Sequence, residues 1–317
     1  MSTALIVGAG VIGLSWARLF AGAGWAVRVT DPRDDLAEIL AEAFPDAPTG
    51  GDGAGTAGDA GDGAGPDPTA VPGSVTGYAD AAEAASAGTG VDFVQEAGPE
   101  RVEIKQEIFR TLAAATAEGT VLASSSSSLL PSDIAEGNDA ASRIIIGHPF
   151  NPPELMPLVE IVPSPATSDA AVARAVEVYR SLGRNPVPLR KEIRGFVGNR
   201  LQRVFNEQAA YLVQEGVVGP AELDEIVRTS LGLRWATIGP FEGQRLGGGP
   251  AGARHLLEHV GAAMDFDSGA PDPARMGEVV DAIEADYGAD EESYRRLTAA
   301  RDARTRAVLA ALRSVDS

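Results

Sequence analysis

Two groups of residues in this chain of 317 stand where they could do chemistry. The first is Gly8-Ala9-Gly10-Val11-Ile12-Gly13, which follows the apolar run Thr3-Ala4-Leu5-Ile6-Val7. The first glycine permits a tight turn, the second lets the backbone approach a pyrophosphate, and the third lets helix and strand pack closely. The next apolar run, Trp25 to Thr30, ends on Asp31, 18 residues beyond Gly13. A carboxylate there suits adenosine ribose hydroxyls and repels a 2′-phosphate, so the pattern selects NAD over NADP, with Arg33 nearby tempering that preference. Glycine triplets arise by chance in a chain with 37 Gly, and the strand, helix and acid around this one supply its meaning.

The second group centres on His148, which ends the run Ile144-Ile145-Ile146-Gly147 and precedes the rigid loop Pro149 to Pro157. An imidazole at a strand end is a candidate acid/base. If the run before the loop and the run Leu158-Val159-Glu160-Ile161-Val162 pair antiparallel, the centre of symmetry falls near Glu154 and sets residue 148 opposite 160. Glu160 interrupts an apolar run, where a carboxylate is costly without a partner. The pair reads as an oriented general base or as a structural ion pair in a turn. Ser124 to Ser128 end another strand at its carboxyl edge, where open α/β sheets bind ligands, and these five hydroxyls cannot be told apart by position. Asn199, beside Phe196, Val197 and Leu201, faces either a cleft or solvent. His255-Leu256-Leu257-Glu258-His259 matches a zinc-protease helix, but no third ligand is at hand and no metal is expected.

The elements that position these groups follow from periodicity. Runs at 3–7, 25–30, 91–95, 120–123, 143–147, 158–162 and near Val187 alternate with helical patterns at 35–44, 80–87, 102–117 and 169–182. Such alternation indicates a parallel sheet covered on both faces, an α/β Rossmann-type dinucleotide-binding domain over residues 1–190. From 191 to 317 only helical periods remain, at 196–214, 221–231, 251–260, 276–285 and 294–312, so an all-helical second domain is expected. Residues 48–73 hold nine Gly and a single sizeable apolar side chain, Val71, and read as a disordered loop.

Composition excludes several classes. With no Cys, disulfide frameworks, thiolate metal sites and cysteine nucleophiles are absent. Forty-five acidic against 26 basic residues, a net charge of −19, argue against nucleic acid or an anionic membrane as partner. Residues 31–70 alone carry ten acids and one base. No apolar run approaches the ~18 residues of a membrane span, and an apolar strand begins too early for a secretory leader, so a cytoplasmic location is expected.

Four longer segments carry a resemblance: Gln95 to Lys105, His148 to Pro153, Lys191 to Leu201, and Gly232-Leu233-Arg234-Trp235 with Ile238-Gly239-Pro240. Together they resemble the L-3-hydroxyacyl-CoA dehydrogenase superfamily, most nearly its lambda-crystallin/L-gulonate 3-dehydrogenase branch. The resemblance implies NAD-dependent oxidation of a 3-hydroxy group by a homodimer, with the helical domain 191–317 serving substrate and dimerisation. It further implies His148 and Glu160 as the catalytic pair, Ser127 and Asn199 at the substrate oxygen, and Asp31, Glu100, Lys105, Ser127 and Asn151 as cofactor contacts. In acyl-CoA members a helical hairpin meets CoA where this chain has its acidic Gly/Ala/Asp tract, a poor dock for an anion. A small free hydroxy acid is therefore expected, with Arg234 the candidate for its carboxylate. Gly247 to His255 is more similar to carnitine dehydrogenase, whose trimethylammonium substrate would want aromatic walls such as Trp235 and Phe241, and this ranks second. A protein that binds NAD(H) in a structural or regulatory role, as a crystallin would, is the competing class.

Overall fold

The inner strands of the central sheet are buried on both faces, and the reason is visible in what covers them. In β1 (Thr3–Val7) all five residues are buried. Ala4 and Ile6 join a cluster with Trp16, Phe20, Phe93 and Tyr179, while Leu5 and Val7 face the opposite side, with Phe109, Leu112 and Ile134. The first cluster is roofed by α1 (Val11–Gly22) and α6 (Asp169–Ser181), the second by α3 (Ala81–Ser86) and α4 (Val102–Ala115). The computed structural model describes residues 1–45, 73–88, 90–259 and 267–316, so the tract 48–73, apart from Gly73, lies outside the described residues.

The other strands are β2 (Ala26–Thr30), β3 (Val75–Tyr78), β4 (Phe93–Glu96), β5 (Val121–Ser124), β6 (Ile144–Pro149), β7 (Leu158–Pro163) and β8 (Asn185–Pro188). Their order is β3-β2-β1-β4-β5-β6-β7-β8. Pairing is parallel except between β6 and β7. The strand order reverses between β1 and β4, the switch point at whose carboxyl edge such sheets bind ligands. Periodicity did not predict β3. It is a four-residue edge strand with only Val75 buried, so nothing alternates. The helix α2 (Leu36–Ala43) crosses it so closely that a Cβ on Gly77 would lie 3.0 Å from Leu40.

The described chain divides into two compact units, Met1–Asn199 and Arg200–Ser317. Helix α5 (Pro131–Ala135) completes the first unit, and α7 (Gly198–Gln214) starts within it. The second holds α8 (Pro220–Thr229), α9 (Leu231–Thr237), α10 (Pro240–Gly247), α11 (Gly252–His259), α12 (Met276–Tyr287) and α13 (Glu291–Asp316). Periodicity gives no helix at α9 and α10, which hold seven and eight residues. Inside this unit Gln214 brackets the backbone of Asp272, accepting from its N–H at 2.8 Å and donating to its carbonyl at 3.0 Å. Among the described residues no helix is long and apolar enough to cross a membrane, and no group of three His, Asp or Glu is disposed for a metal.

Candidate active site

The glycine loop leaves β1 with Gly8 at φ +102°, where a Cβ would lie 2.7 Å from the carbonyl oxygen of Ala97. A Cβ on Gly13 would come within 1.8 Å of the carbonyl oxygen of Gly8. Both glycines thus serve the packing of β1 and α1 against their neighbours. Gly10 differs: a Cβ there would meet nothing within 4 Å. The protein's own packing does not demand glycine at this position, whereas a ligand pressed against the backbone would. The first turn of α1 has no side-chain cap and no acid, so its N–H groups, those of Val11 and Ile12 included, remain available to an anion. These features fit a dinucleotide pyrophosphate.

Asp31, ending β2, accepts a hydrogen bond from the N–H of Ala9 at 2.7 Å on Oδ2 and from Arg33 Nε at 2.8 Å on Oδ1. Arg33 also donates to the carbonyl of Ala9 at 2.8 Å. Burial raises the Asp31 carboxyl, but the bonds from Arg33 and Ala9 outweigh it and hold the group below its ordinary value. The two opposed charges noted in the sequence therefore meet: Asp31 remains ionised at the loop and Arg33 lies across it.

Beneath the loop is a pair that periodicity missed. Glu96, fully buried at the end of β4, accepts from Lys105 Nζ at 2.7 and 2.8 Å, from the N–H of Gly98 at 2.6 Å and from Ser124 Oγ at 2.6 Å. Lys105 is 1% exposed, and its third donor reaches the carbonyl of Gly98 at 3.3 Å. Its ammonium is thus spent on the loop's own scaffold. In this structure Lys105 braces the loop that follows β4, through Glu96 and the Gly98 carbonyl. The available signal was a Gln-Glu dipeptide in a strand otherwise apolar.

Glu100 resolves the serine run. Its Oε1 accepts from Ser126 Oγ at 2.6 Å, from the N–H groups of Ser127 and Ser128 at 2.9 Å each, and from Ser128 Oγ at 2.9 Å. Burial raises this carboxyl, and the serine bonds with the Lys105 charge bring it below its ordinary value. Ser124 Oγ is committed to Glu96, and Ser125 Oγ accepts from Gln95 and Trp16. Of the five, Ser127 alone has an exposed hydroxyl with no hydrogen bond among the described residues. The Nδ2 of Asn199 donates to the Ser127 carbonyl at 3.1 Å, which brings these two together.

His148 and Glu160 stand opposite one another in the antiparallel register of β6 and β7, as the symmetry about Glu154 predicts. The Nδ1 of His148 is 2.9 Å from Glu160 Oε2, and the residues are 5% and 2% exposed. Glu160 Oε1 accepts from the N–H groups of Val197 at 2.9 Å and Gly198 at 3.1 Å. Burial raises the Glu160 carboxyl, while the bonds from His148, Gly198 and Val197 override it and lower the group below its usual range. An ionised carboxylate can only accept, so the proton on this bond belongs to Nδ1, and in the neutral ring the lone pair then falls on Nε2. Nε2 has no hydrogen bond among the described residues.

The ring of His148 is walled by Phe150 and Phe196, centroids 5.5 and 5.2 Å away. Behind it Tyr179 passes so close to Gly147 that a Cβ there would lie 1.8 Å from its hydroxyl. That hydroxyl donates to Gln95 Oε1 at 2.6 Å and ties β4 to the layer under β6. The Pro-rich loop is pinned by Arg18 to Glu154 at 3.1 Å and by Arg184 to the carbonyl of Pro153 at 2.9 Å. Asn151 lies exposed on it. Arg234 sits exposed on α9 in the second unit.

With this geometry in hand, similarity to known proteins is specific. Residues 3–193 match the family model "3-hydroxyacyl-CoA dehydrogenase, NAD binding domain", and residues 195–294 match its C-terminal domain. A 3-hydroxyacyl-CoA dehydrogenase of Gibberella moniliformis is 39% identical over 265 residues, 83% of this chain and 78% of that protein. An L-carnitine dehydrogenase/betainyl-CoA thioesterase of Ruegeria pomeroyi is 36% identical over 270 residues, 84% of this chain. The alignment spans 52% of the Ruegeria protein, so this chain covers about half of its length. Among solved structures, FHMPC 5-dehydrogenase, an NAD+-dependent dismutase, superposes with a TM-score of 0.72 at 24% identity over 100% of this chain and 99% of that one, a likeness of fold.

Proposed function

We propose that this chain, which belongs to the 3-hydroxyacyl-CoA dehydrogenase family, oxidises the C3 hydroxyl of a small free 3-hydroxy acid with NAD. The observation that carries the reading is the buried His148–Glu160 pair, whose hydrogen bond engages Nδ1 while Nε2 has none among the described residues. Bound NAD would supply the hydride acceptor, and Gly8, Gly10, Gly13, the first turn of α1 and Asp31 would hold it. His148 Nε2 takes the hydroxyl proton as C3 loses hydride, and the Glu160 carboxylate offsets the charge the ring acquires. The free hydroxyl of Ser127 and the amide of Asn199 bind the oxygen that becomes a carbonyl.

The names borne by relatives reorder the two substrates weighed from sequence. Dehydrogenases of L-carnitine, a 3-hydroxy acid with a trimethylammonium group, stand at 36% identity in Ruegeria pomeroyi and at 42% over 175 residues in Pseudomonas syringae. We therefore place a trimethylammonium hydroxy acid ahead of L-gulonate. Initial rates of NADH formation with L-carnitine, L-gulonate, 3-hydroxybutyrate and 3-hydroxybutyryl-CoA test the proposal. A kcat/KM for one free acid at least tenfold above that for the thioester supports it. Preference for the thioester, or NADH binding without turnover on all four, refutes it.

A further inference from the structure

The carboxylate that orients His148 is itself held by backbone, and the residue that shapes that backbone is unusual. Among the described residues Phe196 is the one non-glycine residue at positive φ, +48°, and it follows Gly195 at +75°. A left-handed conformation is disfavoured for a bulky L-residue, so something must hold it there. Its side chain is fully buried with Phe109, Leu112 and Ile134, and its N–H donates to the carbonyl of Ile193 at 3.0 Å. Immediately after this turn the N–H groups of Val197 and Gly198 converge on Glu160 Oε1, and the next side chain, Asn199, reaches Ser127. Successive N–H groups brought to one point by a left-handed residue make an anion-holding concavity. Among the described residues no Lys or Arg lies within ion-pair distance of Glu160, so these two N–H groups and His148 are all that compensate its burial.

We propose that Phe196 is a positioning residue for the His148–Glu160 pair. Its left-handed backbone aims Val197 and Gly198 at Glu160 Oε1, which leaves Oε2 directed at Nδ1 of His148. Had the residue the ordinary negative φ, the two N–H groups would point elsewhere and Glu160 would be a buried carboxylate free to rotate.

The kinetic part of the test rests on the catalytic reading above, and the spectroscopic part does not. The chain has three His, so the Nδ1 proton of His148 can be assigned in imidazole NMR spectra by its loss in His148→Gln. In Phe196→Val the β-branched side chain resists left-handed φ, and the hydrogen-bonded Nδ1 proton is expected to broaden or vanish. In Phe196→Gly, which adopts that conformation freely, the signal is expected to persist. Turnover should follow: about a tenfold or greater loss of kcat in Phe196→Val and a smaller loss in Phe196→Gly, with NADH dissociation constants unchanged. An unaltered signal in Phe196→Val overturns the proposal, as does its loss in Phe196→Gly, which would make the ring the agent. If Phe196→Val does not fold, Phe196→Gly alone decides. If His148→Gln keeps turnover, the catalytic reading fails while the spectra still judge the role of Phe196.

Discussion

Replacing Glu160 by Gln changes one atom and inverts the hydrogen-bond logic of the site. The wild-type carboxylate accepts three bonds, from His148 Nδ1 at 2.9 Å and from the N–H groups of Val197 and Gly198 at 2.9 and 3.1 Å. A Gln carbonyl can still accept both backbone bonds, so its amide nitrogen must face Nδ1. Two donors cannot share that bond, and the ring is pushed into the tautomer with its proton on Nε2, which can no longer accept one. The charge is lost as well. A carboxylate 2.9 Å from an imidazolium nitrogen, at an effective dielectric near 20, contributes about 6 kcal/mol of attraction. Part of this is offset by the burial of a carboxylate that is 2% exposed. Taking about 4 kcal/mol as the net loss at the transition state, kcat should fall about a thousandfold, at roughly 1.36 kcal/mol per factor of ten. The assay is steady-state NADH formation, with NADH affinity by fluorescence titration on the same preparation. The dissociation constant should stay within about twofold, because Gln keeps the backbone contacts and lies outside the glycine loop. A kcat within about tenfold of wild type would refute the argument.

Gly10→Ala should weaken NADH binding about tenfold or more while leaving Tm within about 2 °C, since its Cβ meets nothing in the protein; Gly13→Ala, 1.8 Å from the Gly8 carbonyl oxygen, should instead lower Tm by many degrees. Equal losses of stability in the two variants, read by calorimetry, would contradict the division of labour between these glycines. Lys105→Met strands the fully buried Glu96 without its cation and should cost about 3–5 kcal/mol in urea unfolding. A cost under about 1 kcal/mol would mean that the pair is not the brace described. Glu160 lies below its ordinary value of 4.5, so its contribution to stability is present above that pH and is lost as pH falls through the depressed native value. Below about pH 4.5 the unfolding free energy of wild type should therefore decline more steeply than that of Glu160→Gln, and parallel curves would count against it.

The most legible part of the site was the part governed by local periodicity. A two-residue period and a loop symmetric about Glu154 suffice to set His148 opposite Glu160, because an antiparallel register slips only at the cost of turning every side chain to the other face. The glycine loop was legible for a similar reason: its residues answer to their immediate neighbours. Ser127 was not, because its distinction is negative. Its four neighbours are occupied by Glu96, Glu100, Gln95 and Trp16, the last of them 109 residues away in sequence from Ser125. Glu96 and Lys105 escaped for want of one fact, that the end of β4 is flanked on both sides by β1 and β5 and therefore dry. The role inferred for Phe196 depends on a φ angle that no spacing of residue types encodes.

In the proposed NAD-dependent oxidation the proton acceptor is His148. The most direct test of that role is the turnover number of His148→Gln against wild type, on whichever hydroxy acid the panel identifies, with NADH affinity measured on the same protein. A loss of about three orders of magnitude in kcat with an NADH dissociation constant within twofold is the expected result. Wild-type turnover in that variant, with affinity preserved, would contradict it.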